Sequence, residues 1–429
     1  MAVDLLAGVL RQRRPFDEVL ERVAQDPAFA DLESRDRAFA RAIAMTALRR
    51  AGQLRAILAK FIEKPLPAKR GQLDEILLAS AAQLVFLKSA PHAVINLSVH
   101  QVRGDPAASR FHRLANAVLR RVSEQGETLV GQQNAAEMNT PAWLWTRWSE
   151  AYGPDQAHAI ASQHLAEPPL DLTVKSDAEG WAEKLGGIVL PTGSIRLAAK
   201  GRIEEQEGFS EGAWWVQDAA AALPARLLGD VAGKQVADLC AAPGGKTAQL
   251  AQAGAKVWAV DVSPSRLQRL KANLARLGLE AELLEADAGA WMPPEPLDAV
   301  LLDAPCTATG TIRRNADIPH LKTAADVDHL ARLQHRLLCH ALGMIKPGGV
   351  LLYCTCSLET AEGADQIARL LRERQDVTLS PFGPEEVAGR GEWLDGRGAL
   401  RTLPHFLQLS DPQLSGMDGF YAARLVKTA

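Results

Sequence analysis

Two patterns of hydrophobic and polar positions divide the chain. In the first third, apolar residues recur every three or four positions, which places them on one face of a helix. Such runs lie at residues 37–48, 73–87, 94–102 and 111–122. Prolines and glycines separate these runs and mark the ends of the helices. We therefore predict an all-α domain over residues 1–135.

From about residue 226, short apolar runs alternate with helical stretches. The runs predicted to be strands lie at residues 235–240, 256–260, 282–285, 297–302, 350–354 and 419–425. Regular alternation of strands and helices builds a mostly parallel sheet with helices on both faces. We predict a Rossmann-like α/β domain over residues 226–429. The mixed segment between the two patterns predicts a small α+β connecting domain over residues 136–225.

Composition indicates a globular protein of two or three domains. The 429 residues are 47% hydrophobic and 23% charged, which is ordinary for such a protein. No apolar run reaches the roughly 18 to 20 residues that cross a bilayer, and the first residues lack a signal-peptide pattern. An odd number of cysteines, five, does not indicate a disulfide framework. We expect a cytoplasmic protein without a membrane partner.

The charge is distributed unevenly along the chain. The net charge is −3, yet residues 1–140 hold 20 Lys/Arg against 15 Asp/Glu. A basic front on an acidic body favours an anionic partner, although solvated helix surfaces often carry such a surplus. The pairs Arg49/Arg50 and Arg120/Arg121 are candidate phosphate contacts, because guanidinium groups bind phosphate bidentately.

A glycine turn follows the first predicted strand of the α/β domain. Pro243, Gly244 and Gly245 end the strand, and a helix begins near Lys246. The N–H groups at such a helix start attract a carboxylate or phosphate, and Asp261 after the next strand is placed to bind ribose hydroxyls. Neither GxGxxG nor GxxxxGK[ST] is present. The pattern favours an adenosine-type ligand with a carboxylate, such as S-adenosylmethionine, over a tight turn without a ligand.

Polar or reactive residues stand at the ends of successive strands, where α/β sheets bind ligands. These residues are Cys240, Asp261, Asp287, Asp303 and Cys356. Their succession predicts a site at this edge of the sheet.

Two cysteines are candidate nucleophiles, because Cys306 and Cys356 both lie where a strand gives way to a loop. Cys339 and Cys354 are interpreted as core residues. Zinc is disfavoured, since the Cys354–Cys356 spacing is too tight and no His pair stands nearby. Spacing alone does not rank the two candidate thiols.

Three motifs follow one another along the chain: residues 238–247, the Asp-Ala-Pro-Cys stretch 303–306 with Gly310, and residues 353–357. Together they resemble the motifs of the Nop2/Sun family of RNA cytosine-5 methyltransferases. The resemblance continues at residues 311–318 and 416–422. The helical front, with residues 116–121, resembles the NusB-type RNA-binding domain that is fused to bacterial 16S rRNA members of the family. The likeness spans nearly the whole chain.

The resemblance implies S-adenosylmethionine as cofactor and 16S rRNA as substrate. The implied cofactor contacts are Cys240, Ala241, Ala242, Pro243, Gly244, Gly245, Lys246, Asp261, Asp287 and Asp303. Among these, Asp261 would bind the ribose and Asp287 would lie near the adenine.

The resemblance also implies the catalytic roles. Cys356 would attack C6 of cytosine, Asp303 would hold and protonate N3, and Cys306 would help to release the product. Covalent addition splits one hard step into easier ones, and the base must leave its stack to be reached.

Four residues depart from the family pattern without removing a catalytic group: Thr307, Cys354, Ala316 and His320. Two alternatives stay open. One is the same chemistry on tRNA or another rRNA site, and the other is a non-catalytic RNA-binding assembly factor. We expect a monomer that needs no metal and does not bind DNA.

Overall fold

The computed structural model describes residues 1–29, 31–198 and 201–428. The chain divides into two compact units. One combines residues 1–165 with residues 314–323, and the other combines residues 166–313 with residues 324 onwards. The domain boundaries predicted near residues 135 and 225 stay predictions.

The first unit is helical, as predicted. Its helices are Ala2–Leu10, Phe16–Ala24, Ser34–Arg49, Ala51–Phe61, Leu73–Val85, Pro91–Gly104, His112–Gly131, Ala135–Met138, Ala142–Tyr152, Pro154–Gln163 and the short Ile318–Leu321. The apolar spacing explains their packing. In the helix His112–Gly131, for example, Ala115, Val118, Leu119 and Val122 are buried on one face.

Residues 314–323 complete the core of this helical unit. Ala316 is buried among its apolar side chains, and Leu321 packs against them. The backbone N–H of Phe16 donates to Oδ2 of Asp317 at 2.9 Å. Nε2 of His320 lies 3.0 Å from the carbonyl oxygen of Leu48. Ala316 and His320, two departures from the family pattern, therefore contribute to packing in the helical unit.

His320 makes the stability of the protein depend on pH. Burial lowers the pKa of His320 to about 4, whereas an unfolded histidine titrates near pH 6.5. As the pH falls below that value, the unfolded chain takes up a proton that the folded chain refuses. Folding stability is therefore lost between about pH 6.5 and pH 4. We expect His320 to contribute a loss of about 2 kcal/mol between pH 7 and pH 5, which is the difference in pH dependence between the protein and a variant without this imidazole.

Urea unfolding at both pH values measures this loss. A His320→Gln variant keeps a hydrogen-bond donor but does not titrate, so its unfolding free energy should fall less with pH. His92→Gln is the control, because His92 is exposed on the same unit. An unchanged pH dependence in His320→Gln would contradict the assignment.

The second unit begins with a small antiparallel sheet. Its strands are β1 (Leu170–Val174), β2 (Ile188–Val189), β3 (Ile195–Leu197) and β4 (Trp214–Val216), in the order β2-β3-β1-β4. The helix Ala178–Leu185 covers it, and Leu172, Ile195 and Trp214 are buried between them.

A large mixed sheet forms the rest of the unit. Its strands are β5 (Gln235–Leu239), β6 (Lys256–Asp261), β7 (Glu282–Glu285), β8 (Leu297–Asp303), β9 (Ile345–Thr355), β10 (Val377–Ser380), β11 (Leu400–Thr402) and β12 (Phe420–Lys427). The order is β10-β12-β9-β8-β5-β6-β7, with β11 paired to β12. Strands β5 to β9 run parallel to one another, and β12 is antiparallel to β9.

Helices cover both faces of this sheet, so the predicted Rossmann-like architecture is confirmed. They are Leu223–Leu227, Gly245–Gln252, Pro264–Leu277, Ala324–Met344 and Ala364–Glu373. Successive residues of the central strands pack into separate cores, with Val236 on one side and Ala237 on the other. In the described part of the chain, no helix combines the length and the apolar character needed to cross a membrane.

One strand begins earlier than predicted. The long helix ends at Met344, and β9 starts at Ile345 rather than at Val350. Ile345 already pairs with Leu297, and the register then shifts before Val350 pairs with Ala299. The shift accommodates the Pro347–Gly349 turn, in which Gly348 has a φ of +77°.

Candidate active site

The strand order creates a switch point at the carboxyl edge of the large sheet. The chain runs from β5 outward to β6 and β7, and then returns to place β8 on the other side of β5. Loops diverge at such a point and leave a crevice for a ligand. Asp303 at the end of β8 is in register with Cys354 of β9. The predicted site residues Cys240, Asp303 and Cys356 therefore stand at the ends of three adjacent strands, β5, β8 and β9.

The glycine turn after β5 has a backbone that restricts its residues. Gly244 has a φ of +102°, and a Cβ there would lie 2.8 Å from Cγ of Leu270. Cys240 also has a positive φ, +61°. The N–H of Ala242 donates to Oδ2 of Asp261 at 3.1 Å. Glycine is needed at position 244, therefore, both for its conformation and for close packing.

An ion pair lies at the switch point. Nζ of Lys246 is 2.7 Å from Oδ2 of Asp303, and the Lys246 side chain is only 10% exposed. Burial alone would lower the pKa of Lys246, but the carboxylate of Asp303 outweighs it and the pKa is raised. The thiol of Cys354 lies 3.6 Å from Oδ1 of the same aspartate. Lys246 is therefore charged, and both oxygens of Asp303 are held.

A second acidic group lies beneath the turn. Asp238 is fully buried and accepts a hydrogen bond from Oγ1 of Thr247 at 2.6 Å. Burial raises the pKa of Asp238 to about 7, against the opposing effects of Thr247 and Lys246. Asp238 therefore belongs to the support of the turn.

The two acids predicted to contact the nucleoside differ in exposure. Asp261 is only 2% exposed, and its second oxygen accepts the N–H of Ser263 at 3.0 Å. Asp287 is exposed and accepts the N–H of Gly289 at 2.8 Å. Asp261 thus shapes the turn through Ala242, and Asp287 presents its carboxylate to solvent.

The two candidate thiols lie together. Sγ of Cys306 is 3.5 Å from Sγ of Cys356, and both residues are partly exposed. The hydrogen bond to Cys356, followed by burial, raises the pKa of Cys306 well above its usual value. Cys306 therefore stays protonated near neutral pH. Cys354 is fully buried, as interpreted from the sequence, and burial raises its pKa too.

Two glycines that are far apart in the sequence, Gly310 and Gly419, form hydrogen bonds that hold the loops carrying the thiols. The N–H of Gly310 donates to the carbonyl of Cys356 at 3.0 Å, and the N–H of Gly419 donates to the carbonyl of Gly310 at 2.8 Å. A Cβ on Gly310 would lie 2.0 Å from the backbone oxygen of Gly419. The contact explains why both motifs need glycine at these positions.

Sequence reasoning missed a buried ion cluster beside these loops. Nε of Arg313 lies 2.9 Å from Oδ1 of Asp418, and Arg313 also pairs with Asp218. The N–H of Asp418 donates to Oδ1 of Asp218 at 3.0 Å. Arg313 and Asp418 lie in stretches that resemble the family, so the resemblance could have singled them out. Asp218, which bonds to both, lies outside those stretches, and nothing in the sequence marks it.

The candidate phosphate contacts fall into two groups. The guanidinium of Arg50 donates to the carbonyl of Leu165 at 3.1 Å and lies 5.0 Å from the centre of the Phe86 ring. Burial lowers the pKa of Arg50. Arg120 and Arg121 are exposed. Arg50 therefore packs within the helical unit. Arg120 and Arg121 remain predicted phosphate contacts.

One group of potential metal ligands was found among the described residues. Nε2 of His335 lies 2.8 Å from Oε2 of Glu373 and 3.6 Å from Sγ of Cys339. Cys339, which the sequence analysis interprets as a core residue, packs against the core of the large sheet and is partly exposed. None of these residues belongs to the candidate active site.

Comparisons with known proteins agree with this architecture. The family described as 16S rRNA methyltransferase RsmB/F matches residues 225–426, and the NusB family matches residues 1–124. The crystal structure of PH0851 covers 100% of this chain and 99% of its own, with a TM-score of 0.76 and 22% identity. That likeness supports the fold.

Relatives in two bacteria extend the comparison. Ribosomal RNA small subunit methyltransferase B from Serratia proteamaculans is 34% identical over 100% of this chain and 98% of its own. The protein of the same name from Shewanella oneidensis is 33% identical over 92% of this chain and 91% of its own. Because the similarity covers both units, the chain belongs to the RsmB/F family of 16S rRNA methyltransferases, with a NusB-family region at its front.

Proposed function

We propose that the protein transfers the methyl group of S-adenosylmethionine to C5 of a specific cytosine in 16S rRNA, through a covalent adduct between Cys356 and C6. The observation that carries this proposal is the pair of thiols 3.5 Å apart. The Lys246–Asp303 ion pair at the same edge of the sheet supports it. Together they offer a nucleophile, a second thiol and a carboxyl group for one base.

The residues of the turn fit the proposed cofactor. The first N–H groups of the helix Gly245–Gln252 have no acceptor within the helix and suit a carboxylate, and a Cβ on Gly244 would crowd the turn that presents them. Residues 240–246 would hold the methionine end, with Asp261, Asp287 and Asp303 completing the contacts. When bound, the cofactor supplies an electrophilic methyl group on a sulfonium.

The reaction begins at Cys356. Its sulfur would add to C6 as the thiol gives up its proton, and the displaced electrons would make C5 nucleophilic. Asp303 would hold N3 and pass to it the proton that the Cys356 thiol has lost. C5 would then be able to accept the methyl group that bound S-adenosylmethionine would supply. Loss of the C5 proton to water would restore the C5–C6 double bond and expel the Cys356 sulfur, and the proton on N3 would return to that sulfur through Asp303. Cys306 assists this release, and its protonated thiol does not compete as a nucleophile.

We also propose how the chain divides this work. Residues 1–135 bind RNA, residues 136–225 connect, and residues 226–429 carry out methyl transfer. The exposed Arg120 and Arg121 would contact phosphate groups. We propose a cytoplasmic monomer that acts on RNA.

Bisulfite sequencing tests the proposed reaction. Undermethylated total RNA is incubated with the protein and S-adenosylmethionine, and we expect one newly protected cytosine, in 16S rRNA. Protection in tRNA instead would keep the chemistry and overturn the substrate. No protection, with cofactor binding demonstrated, would favour the non-catalytic assembly factor.

A further inference from the structure

Glu362 is a buried carboxylate in the turn Thr360–Glu362, after the strand that leads to Cys356. Oε1 accepts the N–H of Thr307 at 3.0 Å and Nε2 of Gln334 at 3.0 Å. Oε2 accepts Oγ of Ser357 at 2.6 Å and also the hydroxyl of Thr307. All these donors are neutral groups, so the Glu362 carboxylate is held by hydrogen bonds rather than by an ion pair.

The positions of these donors in the chain connect Glu362 with both candidate thiols. Thr307 directly follows Cys306, and Ser357 directly follows Cys356. Gln334 also donates to the carbonyl of Pro305 at 2.9 Å, on the other side of Cys306. One carboxylate therefore ties together the loops that carry the two sulfur atoms.

Other bonds fix Glu362 itself. Its backbone carbonyl accepts the hydroxyl of Tyr353 at 2.7 Å, and Tyr353 is fully buried in β9. Glu362 thus bonds back to the strand that leads to Cys356. The network is anchored in the sheet at one end and in the two loops at the other.

A carboxyl group in such a place is costly. Burial raises the pKa of Glu362 despite the bonds from Ser357, Thr307 and Gln334. A buried ionised group is destabilising unless its hydrogen bonds are nearly all made, and bonds to a charged acceptor are stronger and more directional than neutral ones. An apolar side chain of similar size would fill the space at lower cost but would remove the hydrogen bonds that link Glu362 to both loops.

We propose that Glu362 is a positioning residue that holds the thiols of Cys306 and Cys356 at their reacting separation. The inference rests on the proposed function for the reaction that the thiols serve. Its geometric part concerns only the two sulfur atoms and is tested without RNA or cofactor.

The proposal explains one departure from the family pattern. Thr307 stands where serine is usual, and its hydroxyl is the group that bonds to Glu362. Threonine and serine both supply this hydroxyl and the backbone N–H. The substitution therefore keeps the network.

A short bifunctional thiol reagent, dibromobimane, measures the sulfur separation directly in the full-length protein. It fluoresces when both of its arms have reacted, and mass spectrometry identifies the Cys306–Cys356 bridge. Bridging is an intramolecular reaction that depends on geometry, so Glu362→Gln should lower its yield by at least about tenfold. Glu373→Gln is the control for removal of a surface glutamate, and should bridge like the unmodified protein.

Kinetics supply the second readout. A displacement of about 1 Å costs about 10²-fold in rate, so kcat of Glu362→Gln for methyl transfer should fall by that factor. KM for RNA and for S-adenosylmethionine should hardly change, since Glu362 is buried and bonds only to protein groups. A residue that served folding alone would lower the melting temperature and leave kcat per folded molecule unchanged.

A matched pair at position 307 keeps the test decisive if Glu362→Gln does not fold. Thr307→Val removes the hydroxyl and keeps the shape, whereas Thr307→Ser restores the hydroxyl. We expect the valine variant to lose bridging and kcat together and the serine variant to keep both. Unchanged bridging in Glu362→Gln, or equal behaviour of the two Thr307 variants, would overturn the positioning role. If Glu362→Gln bridges less than the unmodified protein but the unmodified protein methylates no cytosine, the positioning role would be supported and the proposed function overturned.

Discussion

A Cys356→Ala protein is expected to lose methyl transfer to RNA by at least about 10³-fold, because the covalent step has no substitute nucleophile at C6. In the unsubstituted protein Cys306 lies 3.5 Å from that sulfur. The variant removes the hydrogen bond that contributes most to the raised pKa of Cys306, but burial still raises this pKa, so the thiol stays protonated near neutral pH. Binding of S-adenosylmethionine should be unchanged, since its proposed contacts lie on the turn after β5 and on acids at other strand ends. Transfer of a radiolabelled methyl group and calorimetric titration with the cofactor measure the two effects.

Cys339→Ala is the matched control for this substitution. It removes another partly exposed thiol whose neighbour is His335 rather than a residue of the active site. Near-normal turnover by Cys356→Ala would refute the nucleophile assignment. Loss of cofactor binding in the same variant would show instead that the substitution disturbs the turn.

A Cys306→Ala protein is expected to accumulate a covalent complex with RNA that survives denaturation. Addition of Cys356 and methyl transfer would still proceed, but the step that removes the C5 proton and expels Cys356 would lack its assisting group. Loss of such acid–base assistance slows a step by about 10²- to 10⁴-fold. The methylated adduct should therefore outlast the other intermediates and appear as a protein band of reduced mobility after denaturing electrophoresis.

The double variant Cys306→Ala/Cys356→Ala identifies the sulfur that carries the adduct. It should form no stable complex, because the C6 nucleophile is missing. Nuclease treatment followed by peptide mass spectrometry should find the modified residue at position 356 in the single variant. A complex that persists in the double variant, or one attached elsewhere, would contradict the division of roles between the thiols.

The periodicity of the sequence was sufficient for the architecture. Amphipathic spacing depends only on which side chains avoid water, so the run over residues 111–122 predicted the first part of the helix His112–Gly131, with Ala115 and Val122 on its buried face. The same holds for the central strands, whose apolar runs are buried on both faces. The two strands β10 and β11 were missed, since each is a short strand with little apolar signal.

Residues of the active site could be predicted as far as their place at strand ends. Parallel strands deliver their carboxyl ends to one edge, so Asp303 and Cys356 were expected together before their contacts were known. The spacing of cysteines did not show that Cys306 lies 3.5 Å from Cys356. Nor did it distinguish Cys339, which is partly exposed and lies beside His335.

The sequence by itself therefore determined the helical front, the α/β core, the glycine turn and the candidate thiols, because these follow from local patterns of burial and backbone conformation. Only the tertiary structure decided which polar groups meet. The Asp218–Arg313–Asp418 cluster and the bonds from Thr307 and Ser357 to Glu362 join residues that are far apart in the chain. Buried polar groups must find partners wherever the fold places them, and this placement depends on the packing of the whole unit.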